Sequence, residues 1–237
     1  MLLLGAAVAL PCSAAVQDDE LHPVEYPTLA KFAGQPTDFV PKGWKLVAVE
    51  TGDLNGDRRP DVAVLMRMKD PARIKTVENN PYYKTDDTNP YLLAVAFANG
   101  QGYVLVASNH SLFPDDTAPI HADTPPDGDT VKIARGVLTL SFEHLRSHEQ
   151  FSFRWDGKAF ALVGFDCGGV SGGTYIGLSA NYLTRKARIE RGDVSDDRTA
   201  ATTILIRPGK RPTLEQLDTK DWYFELGKDA DGDDLSC

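Results

Sequence analysis

Apolar and polar residues alternate, or cluster in short runs, along most of this chain, and those runs are separated by turn-forming residues. The clearest are "KLVAVETGDL", "PDVAVLMRM", "YLLAVAFANG", "GYVLVASN", "TVKIARGVLTLSFEHL", "QFSFRWDGKAFALVGFD" and "TTILIRP". Runs of this length, rich in Val, Ile, Phe and Tyr, predict β-strands. Asn99-Gly100 and Asp156-Gly157 fall between such runs, where these pairs favour tight primed turns. No segment carries a sustained helical period with caps at both ends, although a short helix is expected around Leu29–Gly34. Many short strands at regular spacing predict an all-β fold, a propeller-like or irregular antiparallel β domain with long loops. The expected loops are residues 69–90 and 108–129, and the stretch 185–200 is charged and expected to be exposed.

The 237 residues are compatible with one sizeable domain. The expected division is a signal peptide over 1–15, a polar, proline-containing N-terminal extension over 16–40, and a single β-rich domain over 41–237. The opening "MLLLGAAVALPCSAA" is too short to span a bilayer and ends in small residues, as the core and cleavage region of a secretory signal does. A positively charged start is missing from it, and cleavage is placed after Ala15. Lipid modification of Cys12 is the second reading, since "ALP" lacks the small residue expected before a lipidated cysteine. Both readings export the mature chain and leave it without a transmembrane segment.

Export changes the meaning of the cysteines. Cys167 and Cys237 remain after cleavage, and in an oxidising compartment two cysteines most simply form one disulfide. That bridge would close a loop of roughly 70 residues and contribute on the order of 4 kcal/mol in the chain-entropy model. The net charge of −9 excludes nucleic acid as the expected partner and suits a basic protein one.

"DLNGDRRPD" puts Asp53, Asn55, Asp57 and Asp61 at positions 1, 3, 5 and 9 of a loop between two predicted strands. Side chains at 1, 3 and 5 converge on one hard cation, and a carbonyl at 7 with the carboxylate at 9 complete an oxygen shell. Gly56 at position 4 and Val64 at position 12 exclude a helix-flanked EF-hand. The spacing is similar to strand–loop–strand calcium sites of integrin-type propeller repeats, and the expected cofactor is a structural Ca²⁺. Asp229, Asp231 and Asp233 repeat the 1, 3, 5 spacing near the C-terminus. That second loop reads equally well as an acidic, solvated tail.

Catalytic patterns are sparse. His144 and His148 stand four apart but lack an H-E-x-x-H frame and a third zinc ligand. Ser171 lies outside a G-x-S-x-G elbow, and no Lys-Ser or Lys-Thr follows the glycines as a phosphate loop requires. The chain is therefore expected not to be an enzyme. A glycosidase-type pair of carboxylates is the one catalytic arrangement that so acidic a sequence leaves open.

"GFDCGGVSGGTYIG" holds six glycines, and within it Ser171, Gly172, Gly173, Thr174 and Tyr175 spell S-G-x-x-Y. This resembles the inhibitory loop of bacterial periplasmic lysozyme inhibitors. Together with the export signal and the calcium-type loop, it is similar to lysozyme-inhibitor-like immunity proteins of Xanthomonadales-type bacteria. The resemblance implies a periplasmic protein with a propeller-like fold and bound calcium, whose loop enters the active site of a peptidoglycan hydrolase. The family roles fall on Ser171 and Tyr175. A serine hydroxyl can both donate to a carboxylate and accept from a carboxylic acid, and tyrosine is a rigid amphipathic anchor. The other reading, from a different class, is a non-catalytic, calcium-stabilised secreted binding or adhesion module, in which "TYIGLSANYL" is an ordinary buried strand.

Overall fold

The computed structural model describes residues 23–76, 85–113, 127–196, 199–206 and 211–218. The signal segment, Cys12, Cys237 and the C-terminal aspartates lie outside these. No described helix is long and apolar enough to cross a membrane.

The strands are β1 (Phe32–Ala33), β2 (Trp44–Gly52), β3 (Asp61–Met68), β4 (Ile74–Thr76), β5 (Thr85–Asp87), β6 (Tyr91–Ala98) and β7 (Tyr103–Asn109). They continue with β8 (Val131–Ala134), β9 (Val137–Glu143), β10 (Ser147–Trp155), β11 (Phe160–Ser171), β12 (Thr174–Asn181), β13 (Lys186–Asp193) and β14 (Thr199–Leu205). All pairings are antiparallel. One sheet has the order β1-β7-β6-β3-β2, and a curled seven-stranded meander runs β14-β13-β12-β11-β10-β9-β8. The fold is therefore an all-β, irregular antiparallel domain of two main sheets, with β4 and β5 forming a small two-stranded one.

The two sheets share one core. Leu65, Leu93 and Val95 of the first pack with Leu138, Leu140, Phe151, Phe153 and Phe165 of the second, all 5% exposed or less. Rings link along this core: Phe113 to Phe142 at 5.8 Å, Phe142 to Phe151 at 6.2 Å and Phe151 to Phe165 at 5.0 Å. Aromatic contacts of this kind add to the area burial itself. The first sheet is also covered on its far face, where Leu29, Ala33 and Phe39 pack on Val62, Val64, Met66, Leu92, Ala94 and Ala96. Burial on both faces explains why β3 and β6 read as continuous apolar runs rather than alternating ones.

Two expectations change here, and the exposed stretch 185–200 gains strands. The helix around Leu29–Gly34 is replaced by the short edge strand β1 and a 3₁₀ turn, Pro36–Phe39, because Gly34 and Pro36 interrupt any helical run. The N-terminal extension is, from Leu29 onward, part of the β domain. Tyr26 also stacks on His110 at 3.7 Å between ring centroids. The stretch 185–200 holds β13 and the start of β14, with Ala187 and Ile189 buried on the core side.

The loop over 69–90 contains β4 and β5. It is held at its base by Arg67, which pairs with Asp87 at 3.0 Å and donates to the Asn89 carbonyl at 3.1 Å. Residues 211–218 close the other end of the core. Leu214 and Leu217 are buried, and the Asn109 side-chain amide donates to both of their carbonyls. The Asn109 Oδ1 accepts from the Ser111 and Leu112 amides, so one buried side chain ties the first sheet to the C-terminal segment.

Candidate functional site

Ser171 ends β11 and Thr174 begins β12, facing each other across a two-residue turn. Gly172 and Gly173 occupy that turn with φ of 57° and 85°. Two consecutive left-handed residues make the primed turn that matches strand twist, and glycine adopts it without steric cost. The expected loop is thus the tip of a tight hairpin. Pairing of β10 with β11 stops at Ser147 opposite Gly169, so the tip extends past that neighbour by Val170 and Ser171. The Ser171 side chain is exposed and makes no hydrogen bond among the described residues.

Two neighbours flank the tip. The β9–β10 turn abuts it, the Val170 amide donating to the Arg146 carbonyl at 2.9 Å. On the other side the Val194 amide donates to the Gly173 carbonyl at 2.8 Å. Leu145, Val170 and Val194 are 78%, 37% and 58% exposed, so the two flanking turns and the end of β11 each leave an apolar side chain exposed at this end of the sheet. This apolar rim is the part of the site that sequence reading missed. Leu145 and Val194 stand in separate, mostly polar stretches, and only strand pairing brings them to the tip.

Tyr175 is placed differently from the expectation. It lies one register pair below the tip, opposite Val170, and its ring folds back along its own strand. A methyl group at Gly177 would meet the Tyr175 Oη at 2.6 Å, and one at Gly168 would meet it at 3.1 Å. The ring therefore lies over the glycines on the sheet face, while Ser171 stands at the apex. His144 occupies the β9–β10 turn and His148 lies on β10 opposite Glu143.

Cys167 sits four residues before Ser171, buried on the core side opposite Leu178. Its sulfur is disulfide-bonded. Cys237, the expected partner, lies outside the described residues, so the pairing of these two stays a proposal.

The acidic loop joins β2 to β3 as expected and turns tightly through Gly56 and Arg58, at φ of 84° and 66°. Three of its predicted ligands lie in the turn and the fourth, Asp61, opens β3, and each is engaged in hydrogen bonds of its own. Asp53 accepts from the Gly56 amide at 2.6 Å and the Arg58 amide at 2.9 Å. Asn55 Oδ1 accepts from the Asp57 amide at 2.8 Å. Asp57 is held by the Arg59 guanidinium at 2.7 Å, a hydrogen bond that lowers its pKa and leaves the carboxylate turned toward Arg59. Asp61 is fully buried and accepts from the Leu54 amide at 2.8 Å and the Ala98 amide at 2.9 Å.

Burial raises the Asp61 pKa above the usual carboxylate range, its two backbone donors oppose that rise, and the nearby Asp57 charge adds to it. Among the described residues no lysine or arginine pairs with Asp61, and no three His, Cys, Asp or Glu side chains are gathered in metal-binding geometry. Burial of Asp61 without a cationic neighbour is met by the two backbone donors and by the raised pKa, which favours the protonated acid.

The Asp53 carbonyl lies beside the β8–β9 turn at Gly136. β9 runs from that turn to Glu143 near the hairpin tips. The acidic loop and the tip thus sit at opposite ends of the same strand, on the order of 20 Å apart. No protein-family model, curated protein or solved structure matches the chain.

Proposed function

We propose that this chain is an exported, calcium-stabilised binding protein that inhibits a lysozyme-like peptidoglycan hydrolase with the end of the β11–β12 hairpin. The observation that carries the reading is the tip itself. It is a tight two-glycine turn with a free serine hydroxyl beside it, at a sheet end that also exposes Leu145, Val170 and Val194. Such a tip is pre-organised, so little conformational freedom is lost when it enters a cleft. Ser171 would address the acid–base carboxylates of a glycosidase, and the apolar rim would exclude water around it.

Calcium would be held by Asp53, Asn55, Asp57 and Asp61, with Asp57 released from Arg59. It would contribute stability rather than contact the partner, because the loop is at the far end of β9. The periplasm is the compartment where such a target is met, and a Cys167–Cys237 bridge would form there. The second reading, a calcium-stabilised adhesion or binding module, draws on Tyr175, whose ring rests on the sheet instead of standing at the tip.

The test is a cell-wall turbidity assay with a panel of lysozyme-type hydrolases and the purified mature chain. Inhibition of at least one enzyme, weakened tenfold or more by Ser171→Ala combined with Gly173→Val, supports the proposal. Absence of inhibition and of binding across the panel overturns it. Binding without inhibition selects the adhesion reading.

A further inference from the structure

Below the tip, the outer face of the second sheet carries a small hollow that the tip does not use. Gly177, paired directly with Gly168 across β11 and β12, lies at its floor. A methyl group at Gly168 would fall 2.6 Å from His148 Cε1, and one at Gly177 would fall 2.6 Å from Tyr175 Oη. Both rings therefore lie down against bare backbone, and any larger residue at either position would lift them. The remaining walls are Asp166, Ser179, Arg188 and Glu190, enclosing about 150 Å³.

The charges in this hollow do not cancel. Arg188 forms an ion pair with Glu190 on its own strand. The Asp166 carboxylate has no hydrogen-bond or ion-pair partner among the described residues, although it is half-buried between Gln150 and Ser179. A half-buried carboxylate beside an aromatic ring, a hydroxyl and an imidazole favours a planar cation. A guanidinium pairs with a carboxylate through parallel N–H donors and lies against aromatic rings. The small volume admits such a head group and little of its stem, as expected for a side chain reaching in from outside.

We infer that this hollow receives the guanidinium of an arginine side chain carried by the protein that binds the tip, with Asp166 as its counter-charge. The net charge of −9 favours a basic partner, and Tyr175 and Val170, paired across the strands, join the hollow to the tip. The inference rests on the partner-binding reading only for whose arginine it is.

Its test needs no hydrolase. The mature full-length chain is titrated with methylguanidinium, followed by amide NMR, with sodium chloride at equal ionic strength as control. The expected result is saturable shifts at Gly168, Gly177, Leu178 and Ser179, weakened at least tenfold in Asp166→Asn. The same loss is expected in Gly177→Ala, with the spectrum of each variant otherwise preserved. Shifts that match the salt control, or that are unchanged in Asp166→Asn, overturn the assignment. A second arm compares Nα-acetyl-arginine methylamide with free arginine. Equal or tighter binding of the blocked form supports a protein-borne side chain, and a tenfold preference for free arginine overturns it. Success here with no hydrolase inhibited would separate the hollow from the inhibitor reading.

Discussion

A calcium-dependent melting temperature is the most direct consequence of the β2–β3 loop, and Asp53→Ala is the perturbation that isolates it. Without a cation the turn is held by its own hydrogen bonds, two of them from Asp53 to the Gly56 and Arg58 amides. Replacing Asp53 removes both, at about 1 kcal/mol each, with or without metal. Calcium at a hundred times its dissociation constant adds about 2.7 kcal/mol to the wild-type chain. For a domain of this size, 1 kcal/mol moves the midpoint by about 2–4 °C, so the calcium shift is about 5–11 °C. Asp53→Ala is expected to melt roughly 4–8 °C lower in chelator and to lose most of the calcium shift. Differential scanning calorimetry of both proteins, in calcium and in chelator, gives the four midpoints. The decisive quantity is the difference between the two calcium shifts, because the hydrogen-bond loss cancels from it. Identical wild-type midpoints in calcium and chelator, or a full calcium shift in Asp53→Ala, would refute the reasoning.

Three further outcomes are expected. Asn109→Ala leaves two amides and two carbonyls without their buried partner and should destabilise by about 2–4 kcal/mol. Faster proteolysis between residues 211 and 218 reports it, and wild-type resistance in the variant would contradict the role of Asn109. Asp61 has a folded-state pKa above its unfolded value, so the native state holds that proton longer as pH rises. In chelator its contribution is complete below the unfolded value, about pH 4, and declines as pH climbs through the folded value. Urea unfolding in chelator should therefore show wild-type stability falling relative to Asp61→Asn across that window. A constant difference between the two would count against it, and calcium should reverse the trend by favouring the carboxylate. Gly173→Val forces a β-branched residue to φ of 85° and should destabilise by about 1–3 kcal/mol. It should also broaden the amide signals of Ser171 and Thr174; an unchanged tip spectrum would show that the turn does not need glycine.

The all-β class and the position of most strands were legible because the chain alternates or clusters apolar residues where a sheet face is buried. "DLNGDRRPD" announced a tight strand–loop–strand turn because Asp and Asn side chains cap their own backbone, which is a local effect. Gly172-Gly173 likewise marked a sharp bend that needs nothing beyond its neighbours. The β13 strand was hidden, since Lys186, Arg188 and Glu190 mask the buried Ala187 and Ile189, and such a stretch reads only as charged and exposed. The Leu29–Phe39 segment was read as an extension, because its burial depends on the far face of β3 and β6. The tip showed the same limit: Ser171 was visible in the sequence, but the apolar rim around it and the retreat of Tyr175 onto Gly177 were not. Turn chemistry, caps and strand alternation act over a few residues, so the sequence alone determined them. Which side chains share a surface depends on strand register across tens of residues. Only the tertiary structure decided that Leu145, Val170 and Val194 are exposed at one end of the sheet and that Asp166 faces a glycine-floored hollow.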